Sequence, residues 1–150
     1  IDVNLSNYIV VYAYSGRINK IEAESIQAFA HSKGKKTLSI GVKQSFTDLY
    51  VNVDPFTLLA YIKNADYVIT DTFHGTVFSI KYQIPFATLI RPSNIEKLSD
   101  LLEKFGLSSR TVNDASNIKD VCTEEIDKLN ILKLLKTYRE SAITYLKDNL

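Results

Sequence analysis

The chain has 150 residues, a formal net charge of +1 and one cysteine. This length suits a single domain with a sizeable core, and the apolar fraction of 45% argues against disorder. Because no long basic block is present, the charge gives no basis for nucleic-acid binding. The lone Cys122 cannot form an internal disulfide or a cysteine-based metal site, so we interpret it as a buried, inert thiol in a reducing compartment.

We expect neither a membrane-spanning segment nor a signal peptide in this chain. No apolar run approaches the ~20 residues that a spanning helix needs. The N-terminal residues lack a charged segment followed by an apolar one. Because the chain starts at Ile1 without a methionine, we expect it to be an excised piece of a longer protein.

The first part of the sequence predicts a strand followed by a helix. Residues 8–14, Tyr-Ile-Val-Val-Tyr-Ala-Tyr, are continuously apolar, which is typical of a strand buried on both faces of a parallel sheet. Ser15 to Arg17 break this strand, and the following helix is expected to end at Gly34. The apolar positions of that helix are Ile18, Ile21, Ile26, Phe29 and Ala30.

The next segment predicts a second strand at residues 37–42, a polar loop at residues 43–53 and a second helix. Asp54 can cap this helix. Pro55 suits its first position, because proline loses no needed N–H group there. The predicted buried stripe of the helix consists of Phe56, Leu59 and Ile62.

The central segment predicts a third strand at residues 67–70, a helix at residues 76–82 and a fourth strand at residues 86–90. Strands thus alternate with helices along most of the chain. This alternation is typical of an α/β domain with a parallel sheet and right-handed crossovers.

The last third of the sequence is mostly helical. Ser93 and Glu96 have capping-box spacing and are expected to open a Leu-rich helix. Gly106 should end it, with Leu107 folding back as the apolar partner of a Schellman cap. Residues 108–126 give no clear assignment. A long amphipathic helix follows, carrying on one side Leu129, Leu132, Leu135, Tyr138, Ala142 and Leu146.

A candidate site is predicted at the carboxyl edge of the sheet, where open parallel sheets bind ligands. The predicted strand ends there are residues 15–17, 43–45, 70–75 and 91–94. His74 lies at this edge. Gly75 and Thr76 are predicted to open the next helix, whose free N–H groups and positive dipole end favour an anion.

His74 is the candidate catalytic residue. An imidazole beside an anion site can contact phosphate, or act as a general acid or base near neutral pH. The hydroxyls of Thr70, Thr72 and Thr76 can orient a ligand or cap the helix. From physics alone, a ligand-directed role and a packing role of His74 are equally supported.

We interpret three other residues, Asp71, Phe73 and His31, as structural and not as catalytic. We interpret Asp71 first as a turn or cap residue and Phe73 as a core residue. His31 is expected to be a solvated charge near a helix C-terminus. The two histidines lie far apart in sequence, without a carboxylate at ligand spacing, so a metal site is not expected.

Residues 53–89, VDPFTLLAYIKNADYVITDTFHGTVFSIKYQIPFATL, resemble the C-terminal half of the polysaccharide pyruvyl transferase family. The similar features are a helix, Ala-Asp-Tyr-Val, a Thr-Asp turn, a His-Gly pair and a proline before the next strand. Residues 93–110, a Leu-rich helix ending in Gly-Leu and an arginine, resemble the family's following segment.

The resemblance implies a fold and a domain organisation. The family resembles the two-domain GT-B glycosyltransferases. Residues 1–150 are therefore expected to form a single Rossmann-like three-layer α/β domain with a mostly parallel sheet, the C-terminal half of a two-domain enzyme. An N-terminal domain would complete the cleft, and the isolated domain is expected to be inactive alone.

The resemblance also implies an activity, which is pyruvyl transfer from phosphoenolpyruvate to a sugar or lipid-linked saccharide. The product would serve a bacterial cell-surface polysaccharide or exopolysaccharide. The enzyme would need no cofactor or metal. It would act in the cytoplasm or at the inner face of the membrane, because phosphoenolpyruvate and activated sugars are cytoplasmic.

The expected roles follow from the donor's phosphate and carboxylate. His74 would protonate the donor or contact its phosphate, and the N–H groups of Gly75 and Thr76 would hold one anionic group. Arg17 and Arg91 are candidates for charge pairing, with solvated surface arginines as the alternative. The expected substrate-binding set also includes Thr70, Asp71, Thr72 and Phe73.

One departure from the family pattern leaves the donor open. Many members carry arginine two residues before the histidine, where this chain has Thr72. One alternative function is a GT-B-type glycosyltransferase domain that binds a nucleotide-sugar diphosphate at the same helix. No carboxylate is evident to hold the ribose, which weakens this alternative. Another is a non-catalytic domain that binds a carbohydrate precursor.

Overall fold

A computed structural model describes residues 3–149, except for the side chains of residues 142, 143, 145–147 and 149. The strands are β1 (Tyr8–Tyr12), β2 (Lys36–Ile40), β3 (Leu49–Val51), β4 (Tyr67–Thr70), β5 (Phe86–Leu89) and β6 (Thr111–Val112). The helices are α1 (Lys20–Ser32), α2 (Pro55–Lys63), α3 (Phe73–Lys81), α4 (Ile95–Lys104), α5 (Ile118–Thr123) and α6 (Lys128–Asn149). Short 3₁₀ turns lie at Ser108–Arg110 and Ala115–Asn117.

The strands form one parallel sheet in the order β3-β2-β1-β4-β5-β6, with helices on both faces. Successive residues of a strand point to opposite faces. Tyr8 and Val10 therefore pack with α2, α3, α4 and α6, whereas Ile9 and Val11 pack with α1 and α5. The predicted Rossmann-like three-layer α/β fold is confirmed.

The order of the strands reverses between β1 and β4. Helix α1 leads the chain away from β1 on one face, and α3 leads it away from β4 on the other. The loops that follow these two strands therefore diverge, which leaves a crevice at the carboxyl edge of the sheet. This topological switch point is where a ligand site is expected.

The predicted helix ends are confirmed where a cap is encoded locally. Asp54 caps α2 by accepting the Thr57 N–H at 2.9 Å. Gly106 has a φ of 66°, which favours glycine. The Leu107 N–H donates to the Leu102 carbonyl at 2.8 Å, as a Schellman cap requires.

Three expectations about apolar or capping residues are wrong. Phe56 is 74% exposed rather than part of a buried stripe. Ser93 does not cap α4, because this helix starts at Ile95 and the Ser93 hydroxyl accepts a hydrogen bond from Arg17 instead. On α6, Leu129 is exposed and Ile131 is buried. The predicted positions Ala142 and Leu146 have side chains outside the described residues.

Two regions without a strand prediction contain short strands. Strand β3 lies within the predicted polar loop and has only three residues. Strand β6 has two residues and lies in the segment that the sequence left unassigned. Both are too short to show the alternation of apolar and polar residues from which a strand is predicted.

Candidate functional site

The turn between β4 and α3 starts the helix earlier than predicted. Helix α3 begins at Phe73, with Thr72 as its N-cap. The Thr72 hydroxyl accepts the Gly75 N–H at 2.8 Å, and the Thr72 carbonyl accepts the Thr76 N–H at 3.3 Å. The expectation that Gly75 and Thr76 open the helix is therefore wrong, because Thr72 already binds both N–H groups.

Buried threonine hydroxyls hold this turn against the neighbouring strands. Thr70 donates to the Tyr12 carbonyl of β1 and accepts the Thr72 N–H at 3.0 Å. Thr76 donates to the Thr72 carbonyl at 2.9 Å and lies 3.1 Å from the Thr88 hydroxyl of β5. The structure thus directs the hydroxyls of Thr70 and Thr76 into the protein, where they bind groups of the neighbouring strands and of the turn itself.

Gly75 is required by the close packing of the turn. A Cβ atom at this position would lie 2.8 Å from the Thr72 hydroxyl oxygen and 2.9 Å from the Thr70 Cβ, with the Thr70 hydroxyl oxygen still nearer. Any larger residue would force the turn apart. The glycine of the His-Gly pair therefore maintains the position of the residue before it.

A network of one arginine and two carboxylates joins the strand ends at the switch point. Asp71 is fully buried, and its carboxylate accepts the Tyr14 N–H at 3.1 Å and the Arg91 Nε at 3.5 Å. Arg91 also contacts Glu22 twice, from Nη1 at 2.6 Å and Nη2 at 3.0 Å. Glu22 belongs to a capping box with Asn19 at the start of α1.

These three side chains, Glu22, Asp71 and Arg91, are here called the Arg91 network. Burial lowers the pKa of Arg91, but the hydrogen bonds and charge of Glu22 and the charge of Asp71 outweigh this effect and raise it. Both carboxylates are thus held by a permanently charged guanidinium. Arg91 therefore joins the strand ends through these two carboxylates and is not the solvated surface arginine of the alternative interpretation. Its contact with the donor stays a prediction.

An open groove of about 550 Å³ lies beside this buried turn. We call it the His74 groove, and its lining residues are Tyr14, Phe73, His74, Lys97, Asp100, Leu101 and Lys104. His74 is exposed. Phe73 is 40% exposed and not a core residue as the sequence suggested. The groove therefore combines an imidazole, aromatic rings and ammonium groups that a solvent-borne ligand can reach.

The α4 residues of the groove were missed from the sequence. Lys97, Leu101 and Lys104 are four and three positions apart, so they share one face of the helix. That spacing was visible in the sequence. The sequence does not show which neighbouring element this face of α4 contacts, because that depends on how α4 packs beside α3.

Arg17 lies at the solvent-exposed side of the same edge. Its Nη1 donates to the Ser93 hydroxyl at 3.1 Å, and its guanidinium carbon lies 5.7 Å from the ring centre of Tyr14. This contact has cation–π geometry. Arg17 thus connects the loops after β1 and β5, while remaining accessible to a ligand.

The other candidate groups lie away from the groove. Cys122 is buried against β4 and β5, and burial raises the pKa of its thiol to about 12, against an opposing effect of Arg110. This confirms its interpretation as a buried thiol. His31 is exposed in the last turn of α1, as expected.

Within residues 3–149, no three or more His, Cys, Asp or Glu side chains cluster so that they could hold a metal ion. No helix in the part of the chain that the structure describes is both long and apolar enough to span a membrane.

The parallel sheet with helices on both faces defines a Rossmann-like α/β domain, and the His74 groove lies at the carboxyl edge of its sheet. Residues 3–94 match the family model described as polysaccharide pyruvyl transferase. Since the match covers more than half of the sequence, the chain belongs to the polysaccharide pyruvyl transferase family, which is a family of transferases.

Individual proteins similar to this chain give less information about it than the family match. No curated protein matches the chain. Among solved structures, the glycosyltransferase SnogD from Streptomyces nogalater is similar over 92% of this chain and 44% of its own, with 14% sequence identity and a TM-score of 0.44. The chain therefore spans less than half the length of that glycosyltransferase.

Proposed function

We propose that the chain is the C-terminal domain of an enzyme that transfers a pyruvyl group from phosphoenolpyruvate to a sugar of a cell-surface or exopolysaccharide precursor. Membership of the transferase family supports this function. The observation that carries it is the position of His74, which is exposed in a groove at the topological switch point. The proposed location is the cytoplasm, where phosphoenolpyruvate is made.

The reaction needs a proton donor and a fixed anion site. The enol methylene carbon of the donor takes up a proton, and a sugar hydroxyl adds to the adjacent carbon and loses its own proton. Phosphate leaves as a second hydroxyl adds to the same carbon, loses its proton and closes the ketal. In the proposal, His74 supplies the proton to the enol carbon or contacts the phosphate. General acid catalysis of this kind contributes about 10²- to 10⁴-fold to a rate.

The proposed anion contact is the first turn of α3. The N–H groups of Phe73 and His74 are the first two of this helix and have no acceptor within it. They replace Gly75 and Thr76, whose N–H groups are bound by Thr72. A helix N-terminus with free N–H groups suits a phosphate.

The test is an NMR titration of the chain that follows the His74 ring and the Phe73 amide. Phosphoenolpyruvate, a panel of nucleotide-sugars and inorganic phosphate are added separately. We expect saturable shifts with phosphoenolpyruvate at lower concentration than with phosphate. A response to nucleotide-sugars alone would instead support a glycosyltransferase domain, and the pyruvyl-transfer proposal would be abandoned.

The catalytic role needs the complete enzyme, because the proposal includes an N-terminal domain on the other side of the cleft. His74→Ala should lower turnover by about 10²- to 10⁴-fold. His31→Ala is the matched control, since His31 is also exposed but lies on α1 outside the groove. Near-normal turnover of the His74 variant would remove the proposed proton donor.

A further inference from the structure

We infer that Lys97 and Lys104 of α4 form a carboxylate-binding subsite in the His74 groove, which the first turn of α3 also lines. Its ligand class is a small organic molecule with both a phosphate and a carboxylate group. This inference rests on the proposed function, because it divides the two anionic groups of the donor between two helices.

The geometry of α4 places both ammonium groups on one wall of the groove. The two lysines are seven positions apart, which is about two helical turns. Leu101 lies between them on the same face and also lines the groove. Phe73 and His74, which form the first turn of α3, line the same groove. A ligand in the groove therefore has both a helix N-terminus and two lysines among its neighbours.

The charge of the groove favours an anion. Its lining contains two lysines and one carboxylate, that of Asp100, so the formal sum is +2 − 1 = +1 with neutral His74. Among the described side chains, no carboxylate lies within 4.0 Å of either lysine ammonium, whereas Lys35 pairs with Asp66 at 3.0 Å. The positive charge of the groove is therefore available to a ligand.

The other basic groups of this edge are less suited to the task. Arg91 is held by Glu22 and Asp71. Arg17 does not line the groove and donates to Ser93. Thr72 has no charge, and its hydroxyl is bound within the turn. Lys97 and Lys104 are therefore the basic side chains that line the groove itself.

The two subsites have different chemical preferences. The N–H groups at the start of α3 suit the phosphate, for the reason given above. The lysines then bind the carboxylate of the ligand, because an ammonium group acts as a point charge and pairs with an anion of any shape. Phosphoenolpyruvate can use both subsites, whereas inorganic phosphate and pyruvate each fill one. The chain should consequently bind phosphoenolpyruvate more tightly than either simple anion.

The test compares two double variants of this chain by NMR titration. Lys97→Gln with Lys104→Gln removes the subsite. Lys119→Gln with Lys128→Gln makes the same change in net charge on α5 and α6, outside the groove. Phosphoenolpyruvate, inorganic phosphate and pyruvate are titrated into each variant and into the unmodified chain. Thermal unfolding checks that both variants fold alike.

We expect the groove variant to bind phosphoenolpyruvate about 10-fold more weakly, which is the effect of losing a charge-assisted contact. Its affinity for phosphate should stay within about 2-fold, and the control should match the unmodified chain. Unchanged affinity for phosphoenolpyruvate in the groove variant would overturn the subsite and leave the proposed function intact.

Two further outcomes are decisive. If phosphoenolpyruvate and phosphate bind the unmodified chain equally well, the carboxylate gains nothing from the lysines and the subsite is overturned. If nucleotide-sugars shift His74 while phosphoenolpyruvate does not, the proposed function fails together with the subsite. The phosphate titration thus tests the subsite, and the nucleotide-sugar titration described under the proposed function tests the function.

Discussion

The carboxyl edge of the sheet has two regions of opposite character that alternate along a single short stretch of sequence. In the buried region, Thr72, Gly75 and Thr76 are packed against neighbouring strands and bound to one another. In the exposed region, Phe73 and His74 face the groove. The two regions alternate because the first turn of α3 directs successive residues around the helix axis.

The stretch of residues 70–76 therefore has two physical tasks, which are to anchor the first turn of α3 and to expose an imidazole. The buried region, together with the Arg91 network, fixes where the first turn of α3 sits relative to β1 and β5. The exposed region then presents an imidazole to solvent from a rigid base. If this division is right, changes in the buried region should lower stability, and changes in the exposed region should lower binding or turnover alone.

The largest expected effect is on the Arg91 network. Arg91→Ala should lower the free energy of unfolding by about 3–5 kcal/mol, because it leaves two carboxylates in the protein without their partner. Urea denaturation followed by circular dichroism measures this change. Lys20→Ala is the control, since its pair with Glu24 is exposed and 4.0 Å long. That pair should contribute at most about 1 kcal/mol.

A loss of under 1 kcal/mol for Arg91→Ala would contradict the division of this edge into a buried and an exposed region. It would mean that water hydrates Glu22 and Asp71 once the guanidinium is removed. The edge would then be more open than the full burial of Asp71 indicates, and the predicted contact of Arg91 with the donor would gain support.

The second effect is expected at Gly75. Gly75→Ala should cost about 1–3 kcal/mol of unfolding free energy, because the added methyl overlaps Thr70 and Thr72. A double-mutant cycle identifies the cause. Combined with Thr70→Ala, which removes the nearest atom, the Gly75 substitution should cost less than it does alone. Strict additivity would show that the contact with Thr70 is not the source of the loss.

A third prediction uses Cys122 to test how well side chains are buried outside the groove, in the cluster that α1 and α5 form against the sheet. Its folded-state pKa is raised to about 12, against about 8.5 for an exposed thiol. The unfolded chain therefore releases this proton first, and stability falls as pH rises through about 8.5 to 12. The expected slope is at most about 1.4 kcal/mol per pH unit.

The slope is measured by comparing urea midpoints of the unmodified chain and Cys122→Ala between pH 8 and pH 10. The difference between the two proteins isolates the thiol from other titrating groups. Parallel curves would show that Cys122 reaches solvent in the folded state, which would contradict its complete burial.

The parts of the fold that the sequence predicted are those encoded by neighbouring residues. The caps at Asp54 and Gly106 each depend on residues within a few positions, and both were confirmed. Burial of Arg110 was not predictable. Arg110 is 1% exposed, and its guanidinium donates to the carbonyls of Val121 and Glu124. Its partners are backbone carbonyls, and a sequence pattern does not show which backbone groups will meet a side chain.

In the candidate site, too, local sequence predicted some features, and others depend on the tertiary structure. His74 at the carboxyl edge follows from the order of elements, which periodicity and caps reveal. The position of Arg91 does not, because Glu22 is 69 residues away in sequence. Chemistry alone makes any arginine a candidate for binding a phosphate. Only the tertiary structure shows that this one is already occupied by two carboxylates.

The smallest effect on stability is expected for His74→Ala, which also tests most directly whether the edge divides into a buried and an exposed region. His74→Ala should change the free energy of unfolding by less than about 0.5 kcal/mol, as exposed positions do. The same variant should need a higher concentration of phosphoenolpyruvate to shift the Phe73 amide, because the contact of the imidazole with the phosphate is lost. Urea denaturation and NMR titration measure both quantities on one sample. A loss of stability comparable to that of Gly75→Ala would place His74 in the buried region and remove the reason for assigning it chemistry.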